Sequence, residues 1–374
     1  MPARHLYVHV PFCARRCSYC DFAIAVRRVI PVRAFIDGVR SELAIRFPRQ
    51  GDWQLDTLYL GGGTPSLLGG EGVGALLDVI RRRASLADDA EVTLEANPED
   101  ITGSSVAAWR AAGVNRLSIG SQSFDPRVLA WMHRIHSAER IGEAVRAARE
   151  EGMANFSLDF IFALPEELGR RWEDDLRLAL DLEPPHVSLY GLTVEAGTPL
   201  ARWRDRGAVA EAPEESYERE YLLAHQMLSD AGYQHYEVSN FGRPGKRARH
   251  NSAYWRGVPY VGVGPSAHGF DGARRRWNAR ELTDWTDRVA AGEDPIEGDE
   301  LLSGENRMVE EVYLEMRTDA GVELRGERER ATVVPWIAEG WARIDADGRL
   351  RLTPAGWLRL DSLAGVLTEA RSCY

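Results

Sequence analysis

Cysteine is scarce in these 374 residues: there are four, and three of them fall at Cys13, Cys17 and Cys20. Four cysteines with three clustered do not make a disulfide framework, so none is expected. Long apolar runs are also missing. No stretch of about 18 apolar residues occurs, so no transmembrane helix is expected. The opening residues, Met1 to Val10, lack the apolar stretch of a secretory leader, and none is expected. Net positive charge is missing as well. Lys and Arg number 46 against 57 Asp and Glu, a formal net charge of −11. A general nucleic-acid binder needs a basic stripe to release counterions, so that class is set aside. The short basic runs Arg81-Arg82-Arg83 and Arg274-Arg275-Arg276 read as solvated faces. Together these absences point to a reducing cytoplasm, with peripheral membrane contact left open. Cys373, beside the C-terminus, reads as incidental.

What is present is an ordinary globular composition, 44% apolar and 28% charged. The length suits one large α/β domain and a smaller one. Strand-like runs at Leu6–Val10, 55–60, 91–96, 116–119, 156–164 and 186–192 alternate with helical patterns at 32–47, 74–83, 103–112, 138–151 and 172–182. Gly113 and Gly152 follow two of those helices as stop signals. Six such repeats predict a parallel sheet covered by helices. The strands read as mostly apolar runs, as for strands buried on both faces. Six is fewer than the eight of a closed barrel. The expected fold is therefore an α/β partial (βα)6 TIM-like barrel, followed by a small α+β C-terminal accessory domain. The expected divisions are 1–200 for the barrel with its cysteine loop, 201–300 for an extension, and 301–374 for a helical, wing-like unit. That last unit should carry a hairpin turned by Ala346-Asp347-Gly348.

The C-x3-C-x2-C loop offers three soft ligands suited to iron–sulfur clusters and zinc. A structural zinc site needs a fourth ligand, for which His5 and His9 are nearby candidates. Three buried apolar cysteines are a further reading. A cubane held by three of its irons would keep one iron open as a reaction site. Other informative residues fall at or near strand ends, the face where βα barrels build their sites. The Gly61-Gly62-Gly63-Thr64 run suits either close backbone approach to a ligand or a tight βα turn. Glu95 and Asp159 are carboxylates in apolar strands, costly unless paired, and a ribose diol is a natural partner for Glu95. Gln122 and Arg134 could bind an amide, a hydroxyl or a carboxylate. His250, with Tyr254 and Trp255, offers an imidazole beside flat apolar surface, or a core histidine among packed aromatics.

These residues resemble a known family. Cys13, Cys17 and Cys20, with Tyr19, look like the radical S-adenosylmethionine signature, and Gly61–Pro65 looks like that superfamily's methionine-binding motif. Leu6–Cys13, Leu158-Asp159-Phe160-Ile161 and Leu189-Tyr190-Gly191-Leu192 are similar to its coproporphyrinogen dehydrogenase-like branch. The oxidases of that branch carry a further cysteine two residues after the third and an N-terminal extension. Here that position is Phe22, and only five residues precede Leu6. His250-Asn251-Ser252-Ala253-Tyr254-Trp255 resembles the His-Asn-x-x-Tyr-Trp motif of HemW-type haem chaperones. The resemblance implies a [4Fe–4S] cluster on Cys13, Cys17 and Cys20. It implies S-adenosylmethionine contacts from Tyr7, Tyr19, Gly62, Gly63, Thr64, Glu95, Gln122, Arg134 and Asp159. It also implies haem held with His250 and passed to acceptor proteins, respiratory enzymes among the candidates. No catalytic residue is assigned. The other activity open to this scaffold is oxygen-independent coproporphyrinogen III dehydrogenation. Two departures stand out: His133-Arg134-Ile135-His136 replaces the family's Gly-Arg-x-His, and Ala163-Leu164-Pro165-Glu166 replaces Gly-Leu-Pro-Gly. Three glycines are thus replaced, adding bulk near the expected ligand rim.

Overall fold

The computed structural model describes residues 3–47 and 53–372; Cys373 lies outside them. Six parallel strands follow one another in sheet order: β1 (His5–Val10), β2 (Gln54–Gly62), β3 (Ser85–Ala96), β4 (Arg116–Gln122), β5 (Phe156–Phe162) and β6 (His186–Gly191). Five main helices follow the first five strands: α1 (Val32–Arg46), α2 (Gly69–Arg81), α3 (Gly103–Ala112), α4 (Ala138–Glu150) and α5 (Trp172–Asp181). In the sheet order β1 and β6 are not neighbours, so the barrel is partial. Local chemistry sets the helix ends. Thr102 and Ser105 form a reciprocal capping box at the start of α3, and Gly113 ends it in the left-handed region. The buried stripe Ile141, Ala144, Val145 and Ala148 keeps helical spacing along α4.

The strands correct one sequence-based expectation. They alternate rather than running apolar throughout. Leu6, Val8 and Val10 of β1, Leu58 and Leu60 of β2, Val92 and Leu94 of β3, and Leu158 and Phe160 of β5 join the hydrophobic core. The residues between them are His5, Tyr7 and His9; Thr57 and Tyr59; Thr93 and Glu95; and Ser157 and Asp159. With period two, these share the opposite face, the barrel lumen. Hydrogen bonds link them across strands, such as Tyr59 Oη to Glu95 at 2.8 Å and Ser118 Oγ to Asp159 at 2.7 Å. The lumen is therefore a polar wall, and the site's functional groups are its upper members.

Several elements start earlier than sequence patterning suggested. α2 begins at Gly69 rather than 74, and β3 begins at Ser85 rather than 91. Glycines at 69, 70 and 72 conceal the first start, and the adjacent acids Asp88 and Asp89 conceal the second. β2 runs on into Gly61 and Gly62. Residues 201–300 add strands to both ends of the barrel sheet. β7 (Gln234–Glu237) and β8 (Asn240–Gly242) extend it antiparallel beyond β6, and β9 (Val261–Val263) lies parallel to β1. Helix α6 (Glu214–Asp230) precedes that hairpin, and α7 (Arg249–Trp255) carries the His-Asn motif. A separate antiparallel sheet comprises β10 (His268–Phe270), β11 (Arg274–Asn278) and β12 (Ile296–Leu301). The C-terminal unit has α8 (Gly304–Met316), α9 (Gly326–Ala338) and α10 (Leu360–Ser372) around a small three-stranded sheet. Its hairpin pairs 342–344 with 349–352. Arg274, Arg275 and Arg276 pair with Asp299, Glu310 and Asp294. Among the described residues no helix is long and apolar enough to cross a membrane.

Candidate functional site: two adjoining cavities

The cysteine loop leaves β1 and folds back on itself. Phe12–Cys13 pairs in parallel with Ala25–Val26, fixed by Ala25 N to Pro11 O at 2.7 Å. Ser18 N donates to Met132 O at 3.2 Å, and Leu200 N to Ser18 O at 2.9 Å, pinning the centre of the loop. The glycine run at the end of β2 explains how the loop lies so close. A Cβ at Gly63 would sit 2.7 Å from Phe12 O, and one at Gly62 would sit 2.5 Å from the His9 ring. Gly62 also has φ +108°. The missing side chains thus make room for the protein's own loop, and Gly63 N and Thr64 N donate to Val10 O and Phe12 O.

A cavity of about 450 Å³ opens under this loop at the carboxyl ends of the strands. It is lined by Cys13, Cys17, Cys20, Tyr19, Gly62, Gly63, Thr64, Glu95, Gln122, Arg134 and Asp159. Eleven of the thirteen residues expected from sequence therefore meet on one wall. Burial raises the Cys13 thiol, opposed by its Thr64 hydrogen bond, and burial pushes Cys20 up to about 11. Thr64 Oγ1 lies 3.5 Å from Cys13 Sγ, and Arg134 Nη1 lies 3.6 Å from Cys17 Sγ. No three His, Cys, Asp or Glu side chains among the described residues are grouped as a single-ion site would group them. Three soft donors spread along one wall, with a guanidinium and a hydroxyl reaching the sulfurs, fit a multi-iron cluster. Arg134 also donates to Asn97 Oδ1 at 2.6 Å and Gly120 O at 2.8 Å, so it reaches the sulfur from a fixed position.

Glu95 stands at the edge of this cavity. Its carboxylate accepts from Tyr59 Oη at 2.8 Å and Gly62 N at 3.0 Å, and burial still pushes it up to about 7. Asp159 accepts from Ser118 and Ser157, each at 2.7 Å, and burial raises it above the usual carboxylate range. Gln122 has φ +66° and His133 has φ +61°. A non-glycine residue there is strained. That explains the family's glycine at position 133, and here the His133 ring is held against Trp203 at 5.6 Å. Ala163 has φ +55°, where the family again has glycine. His133 lines the cavity, whereas Ala163 and Glu166 are absent from its lining, so two of the three replaced glycines add no bulk there. Sequence reasoning missed Asn97, Glu99 and Tyr59, which also line this cavity. Tyr59 was signalled by the polar alternation of β2, whereas Asn97 and Glu99 lie in the turn after β3 and had no such signal.

Two expected site residues lie elsewhere. Tyr7 lines a second, larger cavity of about 1350 Å³. Its hydroxyl meets His9 Nδ1 at 3.1 Å. His250 lines neither cavity. It is buried at the start of α7, with Nδ1 on Thr57 Oγ1 at 2.7 Å and Nε2 on Tyr254 Oη at 2.8 Å. Burial drives its imidazole down to about 3. Both ring nitrogens are therefore occupied, and the side chains of the motif that reach the larger cavity are Ser252, Tyr254 and Trp255. Asp21, Phe22, Gly62 and Glu95 line both cavities and so form a shared wall.

With this geometry in view, the relatives can be compared. A family model for the radical SAM superfamily matches residues 7–179. The chain is 40% identical to the heme chaperone HemW of Mycobacterium tuberculosis, covering 97% of this chain and 94% of that one. The chain belongs to the HemW family. It is also 37% identical to HemW of Escherichia coli, over 72% of this chain and 70% of that one. Among solved structures, the radical SAM coproporphyrinogen III oxidase HemN of Escherichia coli superposes with a TM-score of 0.81. That match covers 98% of this chain and 90% of the oxidase at 22% identity, and it establishes a shared fold.

Proposed function

We propose that this HemW-family chain is a haem chaperone, binding haem in the larger cavity and passing it to acceptor proteins. In this reading Cys13, Cys17 and Cys20 hold a [4Fe–4S] cluster in the smaller cavity. Tyr19, Gly62, Gly63, Thr64, Glu95, Gln122, Arg134 and Asp159 contact S-adenosylmethionine. When bound, the cluster supplies one-electron chemistry toward S-adenosylmethionine. The observation that carries the proposal is the wall shared by the two cavities. Groups bound in the smaller cavity press on Glu95, Gly62 and Phe22, which also face the larger one. Occupancy of one cavity is thereby coupled to the shape of the other, as a gate on haem uptake or release requires. Phe22, 60% exposed, contributes an apolar ring at that junction and no thiol. His250 acts through Tyr254, whose hydroxyl it holds, rather than on iron. The reading puts transfer in the cytoplasm, with respiratory enzymes among the acceptors.

The test is anaerobic reconstitution with iron and sulfide, followed by titration with haem. The expected result is a brown cluster absorbance, haem binding, and no conversion of coproporphyrinogen III to protoporphyrinogen IX in the presence of S-adenosylmethionine and reductant. Robust conversion would overturn the chaperone reading in favour of the oxidase.

A further inference from the structure

Three histidines line the larger cavity: His5, His9 and His268. Their ring nitrogens are not equally available. His9 has both engaged, Nδ1 with Tyr7 Oη and Nε2 with Ala23 O at 2.9 Å. His5 has Nδ1 engaged with Thr57 Oγ1 at 2.9 Å. His268 is exposed to the cavity, and neither of its ring nitrogens has a hydrogen-bond partner among the described residues. It is nevertheless held in place. The ring stacks on Trp277 at 5.9 Å with an interplanar angle of 25°, and the two residues face each other in the antiparallel register of β10 and β11. A histidine presented on a rigid sheet, with a free lone pair and an aromatic backing, is a ready metal ligand.

The same cavity carries a charge pattern that suits a planar dianion. Arg247, Arg249, Arg275 and Arg349 each have an acidic partner, at Asp319, Asp89, Glu310 and Glu315. Arg256, Arg280 and Arg307 line the cavity without an acidic salt-bridge partner among the described residues, and of these Arg280 is engaged with the Asp21 carbonyl at 3.0 Å, which leaves the guanidiniums of Arg256 and Arg307. Haem carries two propionate carboxylates, and guanidinium binds carboxylate with matching fork geometry. The cavity also exceeds the range of about 300–1,000 Å³ common for small ligands.

We propose that His268 is the protein ligand to haem iron, with Arg256 and Arg307 receiving the propionates. This rests on the haem-chaperone reading and names its seat. Coordination forms one Fe–N bond from the imidazole lone pair and releases one water from ferric haem, with no change of oxidation state.

The experiment reconstitutes the full chain with ferric haem and records absorption and paramagnetic resonance spectra, then the iron–histidine stretch after reduction. His268→Ala and His268→Gln are expected to lose the histidine signature and weaken haem retention by about tenfold or more. Added imidazole should restore the signature in His268→Gly, a rescue that a structural role would not show. His225→Ala, on α6 and away from both cavities, is the control expected to match wild type. Arg256→Ala with Arg307→Ala should weaken haem by about tenfold and leave haem dimethyl ester unchanged, since the ester has no carboxylates. Folding of each variant is checked by circular dichroism. An unchanged iron–histidine signature in folded His268→Gln would overturn the ligand assignment while leaving haem binding intact. Equal loss of haem and ester in the arginine double variant would overturn the propionate assignment. A wild-type chain that takes up no haem would instead sink the chaperone reading on which the proposal rests.

Discussion

Replacing Glu95 with glutamine gives a sharp test of how the lumen is organised. Glu95 is a carboxylate that burial pushes from an ordinary 4.5 up to about 7, despite hydrogen bonds from Tyr59 Oη and Gly62 N that favour the ionised form. Between those two values the folded chain holds a proton that the unfolded chain has released. Stability therefore falls as pH rises through that window. At about 1.36 kcal/mol per pH unit, the full displacement corresponds to about 3 kcal/mol above pH 7, an upper bound because the group faces a cavity. Glutamine cannot ionise, so it escapes that penalty. It can accept only one of the two hydrogen bonds through its oxygen, a loss of about 1 kcal/mol. The variant should therefore be about 2 kcal/mol more stable than wild type at pH 8.5 and about equal to it at pH 5. Urea unfolding of the cluster-free chain at both pH values measures this. A difference between the two proteins that does not change with pH would refute the burial argument.

Two further substitutions test other parts of the structure. Glu42 is fully buried on α1, and its carboxylate accepts from Arg46, Gly264 N, Asn278 Nδ2 and Trp285 Nε1. Glu42→Ala strips four donors of their acceptor and should cost about 3–5 kcal/mol in urea unfolding; a loss under about 1 kcal/mol would contradict it. Ala163, buried with φ +55° at the end of β5, should tolerate glycine with a gain of about 1 kcal/mol, read as a higher Tm. A lower Tm for Ala163→Gly would show that its methyl packing outweighs the backbone strain.

Much of the barrel could be read from the chain. Five helices and six strands alternate where patterning places them, because each strand keeps one apolar face for the helix layer. The opposite face was misread. Thr57, Thr93 and Ser157 were hidden among strong β-formers, so a two-faced strand looked like an apolar run. Glu42 and Arg116, both buried, give no local sign that they are buried, because burial of a charge is decided by what packs over it.

The candidate site divides the same way. The spacing of Cys13, Cys17 and Cys20 specified three soft donors on one loop, since a short chain cannot separate them far. Glycines at 61–63 were visible, yet only the packing showed that Gly62 and Gly63 yield space to His9 and Phe12. The His-Asn motif was legible as a motif, but its histidine turns away from the larger cavity and spends both nitrogens on Thr57 and Tyr254. His268 looked like one histidine among several, because ligand availability depends on which ring nitrogens are already bonded. Local spacing by itself determined the cysteine loop and the strand–helix order. Which polar groups are left unpaired in a cavity was decided only by the tertiary fold, because His250 draws one partner from Thr57, 193 residues away, and Arg275 draws its partner from Glu310, 35 residues away.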